Sequence, residues 1–139
     1  MSQTYAGDVT PNEAWNILEK GNTYLVDCRT AAEWSFVGVP DISTLGKDTI
    51  FAEWVKFPGG VENPDFVHEV QTSGINTDAT ILFLCRSGQR SIAAAIAMTD
   101  AGYPNSYNIL EGFEGDKDEN SRRGTIGGWK LSKLPWRQS

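Results

Sequence analysis

The apolar positions of the chain fall into short runs, separated by glycine, proline and helix-capping residues, whose period changes from one run to the next. Thr10-Pro11-Asn12-Glu13 is a helix start, with Thr10 as N-cap, Pro11 at the first helical position and Glu13 at the spacing of a capping box. Ala14, Ile17 and Leu18 follow on one face, and Gly21-Asn22 ends the helix. Tyr24–Cys28 then reads as a short buried strand. Thr30 caps a helix over Ala31–Phe36, and Glu33, three residues on, completes a second capping box. From Val37 to Gly60, Gly38, Pro40, Gly46, Pro58 and Gly59-Gly60 interrupt any long element, and one strand fits at Ile50–Trp54. Asn63 as N-cap and Pro64 open a helix that runs to about Thr72, with Phe66, Val67 and Val70 inward and Gly74 as its stop.

The stretch around which the rest is arranged is Thr80–Ala97. Thr80–Leu84 is a run of strand formers, Cys85 ends it, a polar loop containing Gly88 follows, and Ser91–Ala101 reads as an alanine-rich helix closed by Gly102 and Pro104. Ser106–Leu110 is a last strand. Strands alternating with helices predict an α/β fold, a mainly parallel sheet with helices on both faces. In such a sheet ligand sites gather at the C-terminal ends of the strands, which puts Cys85 and Asp27–Arg29 on the same edge. The polar, glycine-rich stretch after Leu110 predicts a surface loop, and Trp129 and Trp136 predict a tail packed back on the body. With 139 residues, 40% of them hydrophobic, the chain suffices for one domain over 1–139, with neither repeat nor linker.

Charge narrows the partners. A net charge of -6 argues against nucleic acid, so Arg86 and Arg90 stand out as a positive island suited to a small anion. No apolar run approaches the roughly 18 residues of a spanning helix, which predicts no membrane association. The start of the chain has neither a basic n-region nor an apolar h-region, which predicts a cytoplasmic protein with Cys28 and Cys85 both reduced. His68, the single histidine, has no cysteine or carboxylate at ligand spacing, so no metal is expected, and no motif asks for a cofactor. Trp34, Phe36, Trp54 and Phe57 read as core aromatics, with the lining of a pocket as the alternative. Asp27 and Arg29 fit either a structural ion pair or contacts to a ligand.

A thiol placed where a strand hands over to a helix faces inward-pointing loop N–H groups and the positive end of the helix, which together with adjacent arginines favour thiolate over thiol. Such a group can attack phosphorus or sulfur, and a buried free cysteine can also be inert packing. Phosphatases of the Cys-x5-Arg type place an arginine six positions after the nucleophile. Here that position is Ser91, and Arg90 falls one residue early.

Cys85-Arg86-Ser87-Gly88-Gln89-Arg90-Ser91 resembles the active-site loop of the rhodanese family, in particular its single-domain members. Val26-Asp27-Cys28-Arg29 followed by Glu33 resembles their Asp-x-Arg segment, and Gly112-Phe113-Glu114-Gly115 the turn before their last helix. The chain departs from that pattern over Val37–Val61 and in the loop before Trp129. The resemblance implies a rhodanese-like α/β fold with a central parallel five-stranded sheet, and sulfur transfer through a persulfide on Cys85. It further implies that Arg86 and Arg90 hold an anionic sulfur donor such as thiosulfate, and that the backbone from Ser87 through Gly88 and Gln89 to Ser91 cradles the persulfide. Arg29, beside Asp27, would add positive charge at the rim. The acceptor would be a thiol or a cyanide-like nucleophile, with a protein donor or acceptor also possible. In this family six-residue loops go with sulfur transfer and seven-residue loops with phosphatases and arsenate reductases, and Cys85–Arg90 spans six. A persulfide carrier with little activity of its own, and a phosphatase or arsenate reductase, remain the alternatives. Cys28 is either packed or a resolving thiol.

Overall fold

The computed structural model describes residues 4–56 and 59–138, so that Phe57, read above as a core aromatic, lies outside the described residues. Both capping boxes form. Thr10 Oγ1 accepts the Glu13 N–H at 3.1 Å and Glu13 Oε1 accepts the Thr10 N–H at 2.8 Å, starting α1 (Pro11–Leu18). Thr30 and Glu33 do the same for α2 (Ala31–Phe36).

The body is a five-stranded parallel sheet of β1 (Gly7–Val9), β2 (Thr23–Asp27), β4 (Ile50–Phe51), β7 (Thr80–Leu84) and β8 (Ser106–Ile109), in the order β1-β8-β7-β2-β4. The central strand β7 is apolar at nearly every position because both of its faces are covered, as parallel sheets require. Ile81, Phe83 and Cys85 point into one core with Phe66 and Val70 of α3 (Phe66–Gln71) and Ala94, Ala95 and Met98 of α4 (Arg90–Asp100). Leu82 and Leu84 point into the other core, with Ala14 and Leu18 of α1 and the fully buried Trp129. Helices on both faces of a parallel sheet are what the alternation of elements predicts.

Three elements differ from their sequence reading. Strand β1 carries Gly7 and Asp8, too short and polar for a periodic signal, and exists through its pairing with Tyr107–Ile109. The strand expected over Ile50–Trp54 ends at Phe51, after which Val55–Lys56 (β5) pairs antiparallel with Val61–Glu62 (β6). Asn63 does not cap α3: its amide is buried, donating to the Glu53 carbonyl at 2.9 Å while its Oδ1 accepts the Asp65 N–H at 3.1 Å, and the helix begins at Phe66. The stretch after Leu110, expected as a loop, is a run of turns and bends that follows α4, the final helix among the described residues. Beyond it Trp136–Arg137 (β9) pairs with Val39–Pro40 (β3), returning the tail to the body as expected. Among the aromatics, Trp34 packs edge-on against Phe51 and Trp54 against Phe66, whereas Phe36 is 81% exposed, contrary to the core reading. No helix among the described residues is long and apolar enough to cross a membrane, and none of their His, Cys, Asp and Glu side chains form a group that could hold a metal ion.

The turns after β8 hold the back of the loop at the end of β7. The carbonyl of Cys85 accepts the Phe113 N–H at 2.7 Å, and that of Arg86 accepts those of Glu114 and Gly115 at 2.9 and 3.1 Å. Close approach demands glycine at 112, where φ is +60° and a Cβ would lie 2.4 Å from the Cys85 carbonyl oxygen. Gly112→Ala is therefore expected to lower the unfolding free energy by about 2–4 kcal/mol, from left-handed strain and backbone overlap together. Gly21→Ala, where a Cβ would meet nothing within 4 Å, should stay within about 0.5 kcal/mol of wild type. Urea unfolding of the two variants checks the contrast.

Candidate active site

Strand β7 stops at Leu84 and α4 starts at Arg90, so the backbone from Cys85 to Gln89 crosses the C-terminal edge of the sheet. Cys85 is 1% exposed. Its Sγ accepts the Gly88 N–H at 3.1 Å and lies 3.2 Å from Ser91 Oγ. Gly88 turns its N–H inward by adopting φ +102°, a conformation open to glycine and strained for other residues. Of the backbone groups expected to form the cup, Gly88 supplies the N–H on the sulfur, while Ser91 contributes its hydroxyl. Ser87 is half-buried and Gln89, the N-cap of α4, is exposed and makes no side-chain cap.

Behind the sulfur runs a chain of hydrogen bonds. Ser91 Oγ donates to Asn108 Oδ1 at 2.5 Å, Asn108 Nδ2 donates to Asp8 Oδ1 at 3.0 Å, and Tyr5 Oη donates to the same Asp8 oxygen at 2.8 Å. A carboxylate only accepts, so Asp8 fixes which way the Asn108 amide faces, and Asn108 in turn engages the single hydroxyl hydrogen of Ser91. The Ser91 oxygen is left with a lone pair toward Cys85 Sγ, able to accept from the thiol.

The arginines take three different positions. Arg29 does not reach the rim. Its side chain is fully buried, with Nε and Nη2 paired to Asp27 at 2.7–3.2 Å, Nη2 also donating to the Gly38 carbonyl at 2.8 Å, and the guanidinium 4.3 Å above the Phe113 ring. Of the two readings left open for Asp27 and Arg29, the structure has the ion pair, and burial is what removes both from ligand contact. Arg90 is half-buried and held in a two-pronged pair with Glu33, at 2.7 and 2.9 Å. Burial pushes the Glu33 carboxyl up, but the hydrogen bonds from Arg90 and Thr30 and the Arg90 and Arg29 charges outweigh it and bring it down to about 2. Arg86 is exposed and makes no ion pair among the described residues. It lines an open cleft of about 500 Å³ with Arg90, Glu33, Phe36, Val37 and Val55. A second hollow of about 310 Å³ lies on the other side of the loop, bordered by Ser87, Gly88, Gln89, Asp8, Glu111 and Asp116.

Cys28 sits beneath this edge. It is fully buried, its N–H donates to the Leu84 carbonyl at 2.9 Å, and its Sγ lies 3.3 Å from the same oxygen. Burial, then the neighbouring Cys85 and Asp27, push its thiol well above the ordinary value, against a smaller opposing effect of Arg90. Sequence reasoning brought Cys85, Arg86 and Arg90 to one place, but missed Glu33 as the partner of Arg90, Phe113 and Gly38 as the walls around Arg29, and Asn108 and Asp8 behind Ser91. Glu33 was visible as a capping residue, whereas its pairing across 57 positions leaves no local signal.

The Rhodanese-like domain family model matches residues 10–119. An uncharacterized protein of Rickettsia conorii is 41% identical over 123 residues, spanning 86% of this chain and 87% of that protein. Thiosulfate sulfurtransferase GlpE of Actinobacillus succinogenes is 27% identical over 108 residues, spanning 78% and 81%. Among solved structures, Rv0390 from M. tuberculosis superposes with a TM-score of 0.90 at 46% identity, over 98% of this chain and 100% of that one. The family model covers the loop that carries Cys85 and the strands that frame it, and on that match the chain belongs to the rhodanese-like family.

Proposed function

We propose that the protein is a sulfurtransferase that moves sulfane sulfur from thiosulfate or a similar anionic donor to a thiol or cyanide-like acceptor through a persulfide on Cys85. The observation that carries this reading is the loop geometry: a nearly enclosed sulfur that accepts an inward-facing glycine N–H, at the start of a six-residue loop whose Arg86 is exposed and uncompensated. Membership of the rhodanese-like family and the likeness to a protein named thiosulfate sulfurtransferase support it.

In the first step the Cys85 thiolate attacks the outer sulfur of thiosulfate. A sulfur–sulfur bond forms to Cys85, the bond between the two thiosulfate sulfurs breaks, and sulfite leaves with its electron pair. The persulfide anion then lies in the loop, where N–H groups such as that of Gly88 stabilise its charge as an oxyanion hole stabilises oxygen. In the second step the acceptor attacks the terminal sulfur and the Cys85 thiolate departs. Because Arg90 is committed to Glu33, donor capture falls mainly to Arg86, and the pair serves to hold the rim of the cleft. A persulfide carrier is the second reading, favoured by the width of the cleft and the exposure of Phe36 beside it. It expects poor loading from thiosulfate and rapid loading from a protein persulfide.

Intact-mass measurement after incubation with thiosulfate should show a gain of one sulfur, about 32 Da, in wild type and none in Cys85→Ser. An equal gain in both, or aryl phosphate hydrolysis lost in Cys85→Ser with no sulfur ever bound, would overturn the proposal. Arg86→Ala should load about tenfold more slowly from thiosulfate, yet nearly normally from an uncharged persulfide donor, with stability within about 0.5 kcal/mol of wild type. The Glu33–Arg90 pair sets a pH dependence. The folded carboxyl titrates at about 2 against 4.5 for the ordinary group, so its stabilisation is complete above pH 4.5 and is lost as pH falls toward 2. Urea unfolding should find Glu33→Gln about 2 kcal/mol less stable than wild type at pH 6, with the gap shrinking as the pH is lowered through that window.

A further inference from the structure

Strands β2 and β7 run in parallel register with Asp27 opposite Leu84, so the residues that follow, Cys28 and Cys85, leave the sheet side by side. The hydrogen bond from the Cys28 N–H to the Leu84 carbonyl continues the ladder to that point. Side chains alternate along each strand, and Val26 and Cys28 of the first share a core face with Phe83 and Cys85 of the second. Cys28 Sγ is 3.3 Å from the carbonyl oxygen that immediately precedes Cys85 in the chain. Neighbouring strands lie about 4.8 Å apart, within the range of about 4.4–6.8 Å between Cα atoms that a disulfide spans. The protein therefore holds its only two thiols on one face of adjacent strands, both shut away from solvent.

We propose that Cys28 is a resolving thiol that discharges the Cys85 persulfide as sulfide when no acceptor arrives, leaving a Cys28–Cys85 disulfide. This rests on the persulfide reading above. The sulfur of Cys28 attacks the inner sulfur, Cys85 Sγ, since Cys28 lies in the core beneath the loop while the terminal sulfur faces the cup. The bond between Cys28 and Cys85 forms, the bond from Cys85 to the terminal sulfur breaks, and that sulfur leaves as hydrosulfide with the bond's electron pair and the Cys28 proton. The two cysteine sulfurs are oxidised to the disulfide and the sulfane sulfur is reduced, so no outside oxidant enters. An external thiol later restores the dithiol.

Burial holds Cys28 as the neutral thiol, a weak nucleophile, so internal discharge is slower than transfer to a good external acceptor. The loaded enzyme thus keeps its sulfur long enough to pass it on. Only a persulfide left waiting is cleared.

The test loads wild type and Cys28→Ala with thiosulfate, removes the donor, and follows intact mass and released sulfide without any acceptor. In wild type the added sulfur should disappear, to be replaced by a species about 2 Da lighter than the reduced chain with one equivalent of sulfide, and tryptic mapping should find the Cys28 and Cys85 peptides joined. Cys28→Ala should keep its added sulfur at least tenfold longer. If the wild-type adduct persists, or decays without the lighter species, Cys28 is not a resolving thiol. That outcome comes from wild type alone and stands even if the variant folds poorly. If no sulfur loads onto wild type at all, the persulfide reading fails and takes this inference with it.

Discussion

Three backbone hydrogen bonds, from the N–H groups of Phe113, Glu114 and Gly115 to the carbonyls of Cys85 and Arg86, decide what the loop after β7 can do. A peptide unit whose carbonyl is pulled outward leaves the following N–H groups to face the other way. With the carbonyls engaged behind it, the loop presents the Gly88 N–H to the Cys85 sulfur, and the first turn of α4 begins where no side chain caps it. The same clamp sets Phe113 under the Arg29 guanidinium, so the buried ion pair with Asp27 and the Cys85 loop are built on one segment. Burying a charge is costly unless it is paired, and here the carboxylate, a carbonyl and an aromatic face surround it. The pair therefore holds three segments in place.

That division separates arginines that look equivalent in the sequence. Arg29 is structural, Arg90 is neutralised by Glu33, and Arg86 alone of the three projects an unpaired charge into the cleft. A protein with a net charge of -6 would repel a dianion at long range. One unpaired guanidinium on the loop that turns the Gly88 N–H toward Cys85 gives a local reversal of that field, which suits the anionic donor proposed above.

Local chemistry was readable from the sequence and distant chemistry was not. Thr10 and Thr30 announced their helices because a capping box needs only four consecutive residues, and β7 announced itself by an unbroken run of strand formers. The loop could be counted, and its length and composition carried the family resemblance. Strand β1 could not be seen, since Gly7 and Asp8 become a strand only when β8 offers its edge. The Asn63 cap failed because tertiary partners at Glu53 and Glu69 claimed its amide. The fate of Arg29 depended on Gly38 and Phe113, and that of Arg90 on Glu33, and none of these partners is fixed by neighbours in sequence.

The strand order has a consequence for biosynthesis. Strand β7 sits at the middle of the sheet, but β8, which covers one of its edges, and the clamp that shapes its loop are both encoded after it. As the chain leaves the ribosome, β7 can pair with β2, and Cys85 can enter the core it shares with Phe66, Ala94 and Met98, while the other edge of β7 waits for residues beyond 105 to emerge. During that interval the carbonyls of Cys85 and Arg86 lack the N–H groups of Phe113, Glu114 and Gly115, and the open strand edge is free to mispair. Emergence of residues 106–115 is thus what closes the sheet beside β7 and fixes the backbone of its loop.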